Sequence, residues 1–158
     1  MGLSYNIIPT NEMGEKEAHV EHFKSIETYE FPRDFDIDTN SRYPNLGEIE
    51  QALLKSGCTI ISKTQEPTKN ELISRSYQLN HPKHTYGCDF TIHFKNKEVT
   101  TMMGVHGDFN ILLRIATELT KICGTMIIWS AYDAHYIAQG KTYEEIWNKL
   151  KINWAGEE

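Results

Sequence analysis

Histidine and aspartate residues in the second half of the chain are the first candidates for chemistry. The segment GVHGD, residues 104–108, leads from a predicted strand into a predicted helix. Two glycines before a helix N-terminus can bind an anion through backbone N–H groups, and His106 can add a proton donor. Asp133 and His135 are expected at a neighbouring strand end. With His106 and Asp108 they would form a cluster suited to acid–base chemistry or to a metal.

The same segment also has a purely structural interpretation. Asp108 is a favourable N-cap for the helix that follows, and a carboxylate at that position repels an anion. The glycine pattern differs from both the G-x-x-x-x-G-K-[ST] and the G-x-G-x-x-G phosphate-binding motifs. We therefore favour a structural turn here and keep the four-residue cluster as an alternative catalytic site.

A second histidine pair lies in the segment HPKHTYGC, residues 81–88. His81, His84 and Cys88 have donor atoms that zinc binds, but a structural zinc site needs four ligands. The fourth ligand would have to come from another segment, with His93 as one choice. Because Cys88 fits the buried face of a strand, we predict a loop between two strands here, without a metal or other cofactor, and keep His81 and His84 as an alternative metal site.

Acidic residues are concentrated in the N-terminal third of the chain. The net charge is −6 at pH 7, which argues against a protein that neutralises nucleic-acid phosphates. Residues 12–50 hold eleven acids and four bases, so this stretch carries more than the whole net charge. In an extended segment, the aspartates of DFDID, residues 34–38, share one face. The predicted partner-binding residues are Glu27, Glu30, Asp34, Asp36 and Asp38.

This charge distribution predicts a non-enzymatic module that binds one protein partner with a basic surface. Its most specific form is an immunity-type inhibitor that neutralises a basic partner such as a toxin, by analogy with acidic inhibitors that fill basic clefts. Two alternatives stay open. One is a small hydrolase-like or metal-binding enzyme that uses the His/Asp cluster. The other is a structural subunit, or a homo-oligomer, with Trp147 and Trp154 at its interface.

Composition favours a cytoplasmic globular protein. Of the 158 residues, 39% are hydrophobic and 24% are charged, which is ordinary for a folded domain. The longest apolar run is well short of about 18 residues, so no membrane span is expected, and the N-terminus lacks the pattern of a secretory signal. Three widely spaced cysteines predict buried free thiols in a reducing compartment: Cys58, Cys88 and Cys123.

Hydrophobic periodicity predicts the elements that must position these residues. Helices are expected at 46–56, at 109–123 and from Thr142, with Asn45, Asp108 and Thr142 as caps. Strands are expected near residues 5–8, 18–26, 58–63, 71–79, 88–95, 98–105, 125–130 and 135–138. In the strand at 98–105, we expect one face to hold Val99, Thr101, Met103 and Val105.

The order of these elements predicts an α+β fold. We expect an antiparallel sheet of about five to seven strands, with two or three helices packed mainly on one face. Residues 1–158 should form a single domain, with an acidic, loop-rich part at 1–45 and the main α+β core at 46–154. The sequence leaves open whether the first two strands join the main sheet.

Overall fold

Seven strands form one antiparallel sheet in the computed structural model, which describes residues 4–12, 38–69, 71–105, 107–130 and 134–155. In chain order they are β1 (Tyr5–Pro9), β2 (Thr59–Pro67), β3 (Ile73–Asn80), β4 (Cys88–Lys95), β5 (Glu98–Val105), β6 (Met126–Trp129) and β7 (Ala134–Ile137). Across the sheet the order is β2-β3-β4-β5-β1-β6-β7. The described helices are α1 (Leu46–Lys55), α2 (Phe109–Cys123) and α3 (Tyr143–Ala155), and a short 3-10 turn covers Thr10–Glu12. All three helices lie on one side of the sheet, so the predicted α+β fold is confirmed.

Strand β1 lies inside the sheet, between β5 and β6. Ile7 is buried on the side that faces the helices. The first predicted strand therefore belongs to the core, which the sequence left open. The strand predicted at 18–26 lies outside the described residues.

The burial pattern of β4 follows the predicted alternation. Cys88, Phe90, Ile92 and Phe94 are buried, and the residues between them are partly exposed. Side chains of a strand alternate between the two faces, so one face of β4 packs under the helices and the other meets solvent.

The predicted face of β5 is wrong after its first member, Val99. Val99 is buried, but Thr101, Met103 and Val105 point to the other side of the sheet, and Met102 is buried instead. The cause is a β-bulge where β5 pairs with the end of β4. One extra residue in the bulged strand reverses the face of every residue that follows it.

Caps fix the beginning of each helix where the sequence predicted them. At α1, the side chain of Asn45 accepts a hydrogen bond from Glu48 N at 2.9 Å, and Asn45 N donates to Glu48 Oε1 at 3.0 Å. At α2, Asp108 Oδ1 accepts a backbone N–H of the first turn at 2.9 Å. At α3, the hydroxyl of Thr142 accepts from Glu145 N at 3.1 Å. These bonds satisfy N–H groups that the helices themselves leave without partners.

The three cysteines are free thiols and are buried, as predicted. Burial raises the pKa of Cys88 to about 12 and that of Cys123 to about 11. At neutral pH both are therefore uncharged thiols that pack as small apolar groups. Within the described part of the chain, no helix combines the length and the apolar character needed to cross a membrane.

Candidate functional site

A hydrogen-bonded network joins the two points where the chain enters and leaves residues 13–37, which we call the acidic segment. Thr10 Oγ1 accepts from Asp38 N at 3.0 Å and lies 3.1 Å from Ser41 Oγ. Ser41 Oγ accepts from Asn11 N at 2.8 Å and donates to Asp38 O at 2.7 Å. Thr10 and Ser41 are buried, so water competes little for these bonds. We call Thr10, Asn11, Asp38 and Ser41 the clasp.

The carboxylate of Asp38 connects the clasp to the residue before β6. Its Oδ2 accepts from Thr125 N at 3.1 Å, and its Oδ1 accepts from Asn40 N at 3.0 Å. Thr125 is also bonded to Thr10, because the backbone N–H of Thr10 donates to Thr125 O at 3.1 Å. Both carboxylate oxygens of Asp38 thus bind backbone amides. Asp38, one of the five predicted partner-binding residues, therefore has a structural role at the base of the acidic segment.

The other four predicted partner-binding residues lie outside the described residues: Glu27, Glu30, Asp34 and Asp36. Their role stays a prediction. The structure adds the position at which their segment is attached to the fold. The 25 residues at 13–37 contain seven acids and three bases, and the clasp joins the chain on either side of them.

The alternative catalytic cluster has two members in the described part of the chain. Asp108 caps α2, and its own backbone N donates to Gly87 O at 3.0 Å. His135 is buried on β7, with its ring centroid 5.0 Å from that of Phe109. His106 and Asp133 lie outside the described residues, so the convergence of all four stays a prediction.

His81 and His84 lie side by side in the connection between β3 and β4, with ring centroids 4.9 Å apart. Nδ1 of His81 accepts a backbone N–H at 3.1 Å, so the ring proton is on Nε2, which lies 3.1 Å from Ser56 O. Nε2 of His84 accepts from Arg114 Nε at 2.8 Å. Three of the four ring nitrogens are thus engaged. No three His, Cys, Asp or Glu side chains among the described residues converge to hold a metal, so the geometry gives the alternative metal site no support.

Burial lowers the pKa of both histidines. For His81, the positive charge of Arg114 adds to this effect. For His84, the negative charge of Asp108 opposes it, while Arg114 again lowers the pKa. Both rings are therefore neutral at pH 7, which leaves Nε2 of His84 able to accept the hydrogen bond from Arg114.

We expect the protein to lose stability as the pH falls below about 6.5, the usual pKa of an exposed histidine. Since the pKa values of His81 and His84 are lowered by folding, the unfolded chain takes up more protons than the folded one as the pH falls through that value. The free energy of unfolding then decreases until the lower pKa values of the folded state are passed. Urea denaturation at a series of pH values between 7.5 and 5 measures the slope of the free energy of unfolding against pH.

The double substitution His81→Gln with His84→Gln should flatten this slope. His93→Gln is the matched control, because His93 lies on the sheet face that points away from the helices. An unchanged slope in the double variant would contradict the assignment of this pH dependence to His81 and His84.

Arg114 makes contacts with two other segments of the chain that the sequence did not indicate. It lies on α2, and its guanidinium carbon is 3.8 Å from the ring centroid of Tyr143 on α3. The hydroxyl of Tyr143 donates in turn to Asn110 Oδ1 at 2.8 Å. Neither the contact with His84, thirty residues away, nor that with Tyr143 produces a local pattern in the sequence. The local signal is the polar face that Arg114 shares with Glu118 and Lys121, four and seven residues on.

No protein-family model, curated protein or solved structure matches the chain, and the candidate sites therefore rest on their own geometry.

Proposed function

We propose that this protein is a non-enzymatic protein-binding module that uses its acidic segment, residues 13–37, to bind one partner with a basic surface. The clasp is the observation that carries this proposal. It attaches the chain on both sides of the segment to the core through Asp38, Thr10 and Thr125. Fixing the base of a binding segment reduces the conformational entropy that is lost when a partner binds.

The charge of the chain supports a basic partner. The segment 13–37 carries a net charge of −4, which is most of the −6 of the whole chain. Such a field accelerates association with a positively charged surface, and salt weakens it. The most specific form of the proposal is an immunity-type inhibitor that occupies the basic cleft of a toxin. We place this function in the cytoplasm, which the three free thiols favour. Within the described part of the chain, no comparable observation favours the enzyme alternative, since Asp108 caps α2 and His135 is buried.

Reversing charges in the segment tests the proposal. Asp34→Lys with Asp36→Lys should reduce the capture of a basic partner from the native lysate at least tenfold at low salt, because each substitution replaces attraction by repulsion. Capture by the unchanged chain should be near-stoichiometric and should weaken as salt is raised. The bound protein is identified by mass spectrometry, and its isoelectric point is read from its sequence.

The matched control is Glu66→Lys with Glu98→Lys, two exposed acids on β2 and β5. It changes the net charge by the same amount outside the acidic segment. We expect this control to capture the partner as the unchanged chain does. Equal capture by all three proteins would eliminate the acidic segment as the binding site. Equal loss in both double variants would show an effect of net charge alone.

A further inference from the structure

A cavity of about 180 Å³ lies between the three helices. The end of α1, one face of α2 and the beginning of α3 form its walls. The residues that matter for its chemistry are Lys55, Arg114, Glu118, Lys121, Tyr143 and Glu144.

The guanidinium of Arg114 is held in a fixed position at this cavity. Its Nε donates to Nε2 of His84 at 2.8 Å, and its planar group lies over the ring of Tyr143. Tyr143 is itself held by the bond from its hydroxyl to Asn110. An arginine that is already ordered loses little side-chain entropy when a ligand binds to it.

The charge of Arg114 is not matched by a carboxylate in the part of the chain that the structure describes. Its side chain is half-buried, and none of the ion pairs within 4 Å in that part involves it. His84 supplies a neutral acceptor to Nε, and the hydroxyl of Tyr143 is a second neutral hydrogen-bond partner of the guanidinium. The carboxylate of Asp108 is engaged by the cap of α2. A half-buried guanidinium without a carboxylate partner favours an anion from outside.

The other charged groups around the cavity leave a net positive wall. Lys121 and Glu118 pair with each other at 2.9 Å. Lys55 and Arg114 then oppose the single carboxylate of Glu144. Positive charges that surround a concave site raise the local concentration of small anions.

We infer that this cavity binds a small oxyanion, a phosphate or carboxylate group, through the two terminal nitrogens of Arg114. Those nitrogens form one edge of the planar guanidinium, which matches two oxygens of such a group bidentately. Lys55 adds a second positive charge. The site does not depend on the acidic segment, so it can be tested separately from the proposed protein partner.

The test is a titration of the full chain with sodium phosphate and, in a separate series, with sodium succinate, at constant ionic strength maintained with sodium chloride. Nuclear magnetic resonance of the backbone amides and of the arginine Nε–H groups follows binding. We expect saturable shifts at Arg114 and at the amides of Thr117 and Tyr143. Arg114→Gln should abolish saturation, and Arg114→Lys should weaken the affinity at least tenfold, because an ammonium group lacks the fork geometry.

Arg42→Gln is the matched control. Arg42 forms a bidentate pair with Glu48 through both terminal nitrogens, at 2.8 Å each, so it offers no open edge to an anion. Its loss should leave the titration unchanged. Saturation by phosphate alone or by succinate alone identifies the preferred oxyanion. Shifts that do not saturate, or that persist in a folded Arg114→Gln protein, overturn the proposal.

Discussion

Gly124→Ala should lower the free energy of unfolding by about 3 kcal/mol or more, because it combines backbone strain with a steric clash. Gly124 ends α2 with φ +87°, a backbone conformation that residues other than glycine rarely adopt. A Cβ atom at this position would lie 2.5 Å from Asp38 Oδ2 and 2.9 Å from Ser41 Cα. The carboxylate can move away only by giving up its bond to Thr125, and Ser41 can move away only with its backbone. Urea denaturation measures the loss.

Gly140→Ala is the control that isolates the clash. Gly140 has nearly the same backbone angle, φ +90°, but among the described residues, its two chain neighbours aside, no atom lies within 4 Å of the position of an added Cβ. Its substitution should therefore cost about 1 kcal/mol from backbone strain alone. Equal losses at the two glycines would mean that the clasp yields to the added methyl group without cost.

Asp38→Ala should lower the free energy of unfolding by about 2 kcal/mol, the cost of leaving polar groups without charged acceptors. It removes the two hydrogen bonds that the carboxylate makes with described residues, and the N–H of the buried Thr125 loses its acceptor. Asp89→Ala is the control, because Asp89 lies on the outer face of β4, and no hydrogen bond of its carboxylate involves the described residues. The control should change stability by less than about 0.5 kcal/mol.

Asp38→Ala and Gly124→Ala should also be coupled in their effects on the free energy of unfolding. With Asp38→Ala in place, the carboxylate that the methyl group of Gly124→Ala would meet is gone. The double variant should therefore lose about 1 kcal/mol less than the sum of the two single losses. Additive losses would show that the clash is with Ser41 alone.

Asp38→Ala also separates the clasp from the acidic segment in the binding test. The four acids at Glu27, Glu30, Asp34 and Asp36 remain in this variant. If a fixed base contributes to binding, capture of the basic partner should weaken although these carboxylates are unchanged. Unaltered capture would limit Asp38 to a role in stability.

Local features of this protein were determined by the sequence itself. The alternation in β4 predicted its buried face, and the residues Asn45, Asp108 and Thr142 predicted where the helices begin. These features depend on neighbours within one strand or one helical turn, so a short stretch of sequence contains all the interacting groups.

Other features were decided only by tertiary structure. The bulge between β4 and β5 reversed the predicted face of β5, because pairing with another strand sets which residue is extra. Asp38 bonds to Thr125, eighty-seven residues along the chain, and Arg114 bonds to His84, thirty residues away. Contacts over such separations leave no periodic signal, because Asp38 and Arg114, each taken alone, have the sequence pattern of an ordinary solvent-exposed charge. The carboxylate that the sequence assigned to a partner is therefore part of the clasp, and the arginine that it passed over lines a cavity.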